Sequence, residues 1–310
     1  MKKRLMILTL LLSLLLTACD GRQGGGSQDS VSKEASAENE DALLLTVDGR
    51  EVPLWRYRYW LVYVCAELQA QYEAAGLSLK WDAPVGDGTL ADYAKERALA
   101  DTVLYATVEN WAERYGCSPQ DVPEETPLPA LGFRTEQLQE LQAVGQKYAA
   151  LWVLACREGS LLAPSREQLA AYAEEQGILT LDRILIAGGE DRQRARERAE
   201  ELFSRLNGAE NQAAEFAALA AEGDDARGPR TLQGDGWDEG LLDAARALQP
   251  GQCSGILESP EGFSILLRLE TDLAGLEESY FDAQLQQAAE QAKVLLQPEY
   301  EMLQPEAWLP

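Results

Sequence analysis

From residue 54 to residue 177, apolar residues recur three and four positions apart, the spacing of one helix face. Leu54, Tyr57, Leu61, Val64, Cys65, Leu68 and Tyr72 form the first such stripe. A second helix is expected to start near Thr89, with Asp92 three residues on as a capping-box variant. Its stripe is Leu104, Val108, Trp111, Ala112 and Tyr115, and Gly116 is its expected stop. A third begins after Thr135 and carries Leu138, Leu141, Gly145, Tyr148, Trp152 and Ala155 towards a stop at Gly159. Ser165 and Gln168 make another capping box, opening a short helix that ends at Gly177. The Trp and Tyr stripes read as core. Ahead of these helices, Leu43 to Val47 is a short strand-like run, and Asp48-Gly49 is a turn signal.

At Ile178 the period changes. Leu179 to Ile186 is rich in β-formers. A highly charged helix follows, with Ala195, Ala199, Leu202 and Leu206 as its apolar face, and then a second helix with Phe216, Leu219 and Ala220. A short strand candidate spans Arg230 to Gln233, a helix runs from about Asp238 to Leu248, and two strands, Ser254–Glu258 and Phe263–Leu269, flank a Ser259-Pro260-Glu261-Gly262 turn. The predicted order is β-α-α-β-α-β-β, a compact α+β unit. After Asp272 helix returns, with Phe281, Leu285, Ala288, Ala292 and Leu295 on one face before Pro298. That amphipathic helix needs a packing partner. The N-terminal helices supply one, so residues 43–177 and 272–310 are expected to form one helical body around an insert at 178–271.

The N-terminus adds location. Lys2-Lys3-Arg4 precedes an apolar run, Leu5 to Leu16, too short to span a bilayer, which reads as a signal peptide over residues 1–18. Leu16-Thr17-Ala18-Cys19 matches a lipobox, so Cys19 is the expected lipidation site and acyl chains would hold the chain on the extracytoplasmic face of a membrane. Residues 19–42, rich in Gly, Ser and acids, read as a tether.

The chain of 310 residues is 46% hydrophobic, enough for a sizeable core and about two domains. A net charge of −25 disfavours nucleic acid and anionic lipid as partners. There is no histidine, which excludes Ser-His-Asp and Cys-His catalysis and every histidine-containing metal site. Cys65, Cys117, Cys156 and Cys253 form no close pair, so no CxxC motif or Cys-rich zinc site is present. They read as buried free thiols on helix faces, although an extracytoplasmic location also permits a disulfide. No cofactor and no metal is called for.

Within 178–271, Ala244-Ala245-Arg246-Ala247-Leu248-Gln249-Pro250-Gly251-Gln252-Cys253-Ser254 resembles the helix and the L-x-P-G-x-x-S turn of parvulin-type (PpiC, rotamase) peptidyl-prolyl isomerases. Glu261 to Leu266 resembles that family's last strand, x-G-aromatic-H-I-I, and Leu181 to Ile186 its first, A-x-H-I-L-I. The flanking helices are similar to the chaperone part of PrsA- and SurA-type extracytoplasmic foldases. The resemblance implies an α+β fold: a mostly helical chaperone-like domain, N-terminal helices plus a C-terminal helix, with an inserted parvulin-like β-α-α-β-α-β-β domain.

It also implies a site. The family's two histidines align with Arg183 and Ser264, its acidic or cysteine residue with Asp224 or Asp225, its proline-pocket Met and Phe with Trp237 and Leu241, and a second pocket aromatic with Arg246. Gly228-Pro229-Arg230-Thr231-Leu232 replaces the family's G-G-x-L-G step. Prolyl isomerisation needs no nucleophile, only a pocket that favours the twisted amide over either planar form against a barrier of roughly 18–20 kcal/mol. A buried Arg183 would need Asp224 or Asp225 as partner, or would have to point to solvent. The implied function is a lipid-anchored foldase acting on unfolded, newly exported, proline-containing polypeptides, with a histidine-less isomerase site. The alternative is a non-catalytic interaction lipoprotein that uses the same scaffold for one dedicated envelope partner. A solute-binding lipoprotein would need two α/β lobes, for which the strands are too few.

Overall fold

A computed structural model describes residues 40–119, 128–225, 228–232 and 237–305. The leader, Cys19 and most of the tether lie outside the described residues. The fold is α+β.

Strands β1 (Leu43–Val47) and β2 (Arg50–Pro53) form a hairpin across Asp48-Gly49, where both residues have positive φ (49° and 88°), the backbone that a tight two-residue turn requires. Helix α1 (Leu54–Ala74) follows directly. Its burial extends beyond the expected stripe to Trp55, Tyr59, Trp60 and Val62, so α1 runs through the middle of the main core rather than along its side. A two-residue hairpin, β3 (Pro84–Val85) and β4 (Gly88–Thr89), leads into α2 (Leu90–Tyr115).

The Thr89–Asp92 capping box forms as expected: Thr89 Oγ1 accepts from the Asp92 N–H, and Asp92 Oδ2 accepts from the Thr89 N–H. Gly116 ends α2 in the left-handed conformation at φ 66°. Helix α3 (Thr135–Ala155) stops four residues before Gly159, because Cys156 already caps it. Helix α4 (Arg166–Glu175) opens on the Ser165–Gln168 box.

Glu109 is buried between the first three helices, with Arg56 Nη1 at 2.6 Å and Lys147 Nζ at 2.9 Å, joining α2 to α1 and α3. Burial works against its carboxylate, but the two cations outweigh that and hold its pKa below the ordinary value.

Residues 179–268 follow the expected order: β5 (Leu179–Ala187), α5 (Arg192–Gly208), α6 (Gln212–Ala220), β6 (Arg230–Leu232), α7 (Glu239–Ala247), β7 (Leu257–Ser259) and β8 (Gly262–Arg268). The sheet is antiparallel, in the order β6-β5-β8-β7. On one face Ile184, Ile186, Phe263, Ile265 and Leu267 pack against Ala195, Ala199, Leu202 and Leu206 of α5 and Phe216 and Leu219 of α6. The expected strand at Ser254–Glu258 is shorter. Ser254 instead hooks onto β8, its N–H bonding to the Leu266 carbonyl while Leu266 N–H bonds to Ser254 Oγ.

Helix α8 (Leu276–Gln291) returns to the helical body, where Phe281 and Leu285 pack with Val108, Ala112, Val144 and Leu151. Its expected continuation through Leu295 is incorrect. The helix ends at Gln291, and Val294–Leu296 form β9, which pairs antiparallel with β1 to complete a sheet in the order β2-β1-β9. A 3-10 turn, Pro298–Met302, then buries Tyr300 against Tyr57, ring centroids 5.3 Å apart.

The four described cysteines are free thiols. Only Cys65 is buried on a helix face; Cys117 follows α2 half-buried, Cys156 is exposed at the end of α3, and Cys253 lies half-buried in the loop before β7. Caps and loops, rather than helix faces, hold three of the four.

Candidate peptide-binding face of the four-stranded sheet

Because side chains alternate along a strand, the residues of β5 and β8 that do not meet α5 and α6 face the other way. On this second face Leu179, Leu181 and Leu266 pack under Ala245 of α7 and Trp237 just before it. Helix α7 is short, and Asp238 fixes its start by accepting from the Gly240 N–H at 3.0 Å. Its end is fixed by sequence too. Gln249-Pro250-Gly251-Gln252 closes a turn, with Gly251 at φ 84° and Gln252 N–H bonded to the Gln249 carbonyl. Gly251 N–H then bonds to the Arg268 carbonyl, which sets the whole turn against the end of β8.

Arg183 and Ser264 both lie on this second face, in neighbouring strands two rows apart: Arg183 is opposite Leu266, and Ser264 is opposite Leu185. Arg183 is buried rather than solvent-facing, at 8% exposure. Its Nη2 donates to Asp225 Oδ2 at 2.8 Å and its Nη1 to Glu261 Oε2 at 2.9 Å. The guanidinium also lies over the Trp237 ring, 5.0 Å from its centroid. Asp225 is equally buried and accepts from Arg230 Nη2 at 2.8 Å as well. A permanent charge therefore stands on this face at Arg183, with the pairing that burial demands. Arg183 Nε and Ser264 Oγ are buried with no hydrogen-bond partner among the described residues.

The neighbouring acids do other work. Asp224 does not join Arg183. Its N–H bonds to the Leu185 carbonyl, and its carboxylate accepts from the Ala187 N–H at 2.8 Å and from Arg198 Nη1 at 2.9 Å, clamping α5 to the end of β5. Burial works against that carboxylate, but the Ala187 N–H and Arg198 keep its pKa below the usual aspartate value. Asp182, one residue before Arg183, turns to the opposite face and accepts from the Arg183 backbone N–H at 2.9 Å; burial raises its pKa.

Of the expected pocket residues, Trp237 is half-buried and retains open surface, whereas Leu241 is buried at 2% exposure. Arg246 is exposed and paired with Asp243 at 2.9 Å, so the structure does not bring it to Trp237. It lies one residue beyond the buried Ala245, a rotation of about 100° around the helix. Glu261 and Arg230 are site members that the sequence reading did not single out. They lie 78 residues after and 47 residues after Arg183 in the chain, and only strand pairing brings them to it.

Among the described residues no group of three or more His, Cys, Asp or Glu side chains could hold a metal ion, and no helix is long and apolar enough to cross a membrane.

Residues 178–270 match the Rotamase family, described as the PPIC-type PPIASE domain. The chain is 33% identical over 129 residues to the chaperone SurA of Bordetella avium (strain 197N), a match covering 37% of this chain and 24% of the relative. It thus spans about a quarter of the length of that curated protein. Among solved structures, PrsA from Bacillus cereus aligns at 14% identity and a TM-score of 0.27, over 87% of this chain and 90% of its own. PrsA from Streptococcus pneumoniae aligns at 15% and 0.27, over 81% and 88%. A SurA-like chaperone from Campylobacter jejuni aligns at 12% and 0.26, over 80% and 92%.

Proposed function

We propose that this chain, whose residues 178–270 form a PPIC-type rotamase domain, is a parvulin-type foldase: a peptidyl-prolyl isomerase chaperone for unfolded, exported polypeptides. The domain match carries the reading. The anchor is a lipid on Cys19, after the lipobox Leu16-Thr17-Ala18-Cys19, which places the body on the extracytoplasmic side of a membrane. The helical elements on both sides of residues 178–271 hold clients, and the rotamase domain handles their prolines.

The isomerase step of this proposal is weak. A prolyl isomerase must bind the twisted amide better than either planar form. Here Arg183 is tied to Asp225 and Glu261 where the family has one histidine, and Ser264 stands where it has the other. Trp237 still offers an aromatic wall for a proline ring, so affinity survives better than turnover.

The test pairs a protease-coupled proline-peptide isomerisation assay with an aggregation assay on an unfolded client. The expected result is suppressed aggregation with isomerisation far below that of histidine-bearing parvulins, and a loss of about 1–3 kcal/mol of peptide binding in Trp237→Ala. Robust turnover would overturn the weak-site part. Absence of both activities would overturn the whole reading.

One observation favours the second reading, a non-catalytic scaffold for a dedicated envelope partner. Leu241 is buried and one face of the Trp237 ring is already taken by the Arg183 guanidinium, so neither pocket residue is wholly free for a proline ring. Crosslinking in cells separates the two: a broad range of exported chains supports the foldase, and a single partner supports the scaffold.

A further inference from the structure

The ion pair between Arg183 and Glu261 is lopsided. The Arg183 side chain is 8% exposed, whereas Glu261, on the turn between β7 and β8, is 63% exposed. On the inner side, the buried Asp225 is shared between Arg183 and Arg230, each at 2.8 Å, so one carboxylate faces two guanidiniums. Asp182 bonds to the Arg183 backbone from the other face of the strand. Nη1 of Arg183 therefore takes its counter-charge from a side chain that is mostly in water. Solvent-exposed partners of this kind are held weakly and exchange easily, while a buried guanidinium cannot be left without an anion.

We infer that the Nη1 edge of Arg183 is an anion subsite beside the Trp237 wall, filled in the free chain by Glu261. The ligand it takes is the carboxylate side chain of a residue next to proline in a bound polypeptide. The same guanidinium is bonded to Glu261 at 2.9 Å and lies 5.0 Å from the Trp237 ring centroid. Adjacent residues of a peptide, about 3.8 Å apart at Cα, can place a ring on one and a carboxylate on the other. Two further buried polar atoms on this sheet face, Arg183 Nε and Ser264 Oγ, have no partner among the described residues. The net charge of −25 slows the approach of acidic segments, so the preference appears in slower dissociation.

This inference rests on the peptide-binding reading above, and the test separates the two. Three acetylated, amidated peptides that differ only in Glu, Gln or Lys before a central proline are titrated against the full-length protein by calorimetry. The Glu peptide is expected to bind about tenfold more tightly than the Lys peptide, as one charge-assisted hydrogen bond allows, with Gln between them. Glu261→Gln, on an exposed turn, should widen the gap by removing the internal competitor, and Arg183→Met should close it. Equal affinities for all three peptides, or a gap unchanged in Glu261→Gln, would overturn the inference and leave peptide binding standing. Binding of none of the three would overturn both.

Discussion

Tyr148 donates a 2.6 Å hydrogen bond to Asp282, 134 positions further along the chain, and so fastens α8 to α3 across the whole intervening rotamase domain. Burial raises the Asp282 pKa, and the Tyr148 hydroxyl opposes that rise. Removing the hydroxyl leaves a half-buried carboxylate without this donor. Tyr148→Phe is expected to lower stability by about 1–2 kcal/mol, measured by urea unfolding at neutral pH. In a double-mutant cycle with Asp282→Asn, the effects of the two substitutions should not add. Additive effects would show that the bond does not fasten the helices.

The ends of the rotamase domain lie close together in space. Tyr172 Oη donates to the Ser279 carbonyl at 3.1 Å, and Leu169, Ala173, Ile178 and Leu276 form one small cluster. Deleting residues 178–271 and joining the ends with a short linker is expected to leave a body of α1 to α4 and α8 that unfolds in one cooperative step. A gradual, non-cooperative melt of the deletion chain, followed by circular dichroism, would refute a discontinuous helical domain.

Asp101 on α2 titrates unusually. Burial raises its pKa to about 6; Arg97 pulls against that and Glu67 adds to it. A carboxyl whose pKa is higher folded than unfolded binds its proton more tightly in the native state, so its contribution is present below the unfolded value and lost as pH rises through the folded one. Stability should therefore decline between pH 3.8 and about 6 on account of this group. Asp101→Asn should flatten that decline and gain about 1–2 kcal/mol above it. Parallel urea-midpoint profiles for the two proteins would rule this out.

Gly262 opens β8 at φ 147°, and a Cβ there would run into the Ile186 carbonyl oxygen of the facing strand β5 and the Gly188 nitrogen just beyond its end. Gly262→Ala is expected to cost about 3 kcal/mol in the thermal stability of the rotamase domain. Gly255→Ala is the control, since its Cβ would enter open space, and it should be close to neutral. Equal effects at both positions would remove steric exclusion as the reason for glycine at 262.

Much of this was legible along the chain because it is local. The Thr89–Asp92 and Ser165–Gln168 boxes, Gly116 and the Ala195-Ala199-Leu202-Leu206 face each depend on residues within one or a few turns. Strand β9 was not. Leu295 continues the spacing of Ala288 and Ala292, and three residues cannot distinguish a helical period from a strand; pairing with Thr46 decides. The choice between Asp224 and Asp225 for Arg183 was likewise closed to sequence. Adjacent residues point apart, and it is the bond from Asp224 N–H to Leu185 that sends one carboxylate to Arg198 and the other to Arg183. Glu261 could be noted as a turn residue, but nothing local connects it to Arg183.

Strand β1 is paired on one side by β2, next to it in the chain, and on the other by β9, through Leu45 with Leu296, Thr46 with Leu295 and Val47 with Val294. As the chain emerges N-terminus first, the second edge of β1 waits for its mate until nearly the whole chain has emerged. In that interval the rotamase domain emerges complete and is free to fold while the helical body around it is still unfinished. An unpaired strand edge is an invitation to other chains. The nascent protein thus passes through a stage at which it has the same need for protection as the unfolded polypeptides proposed to be its clients.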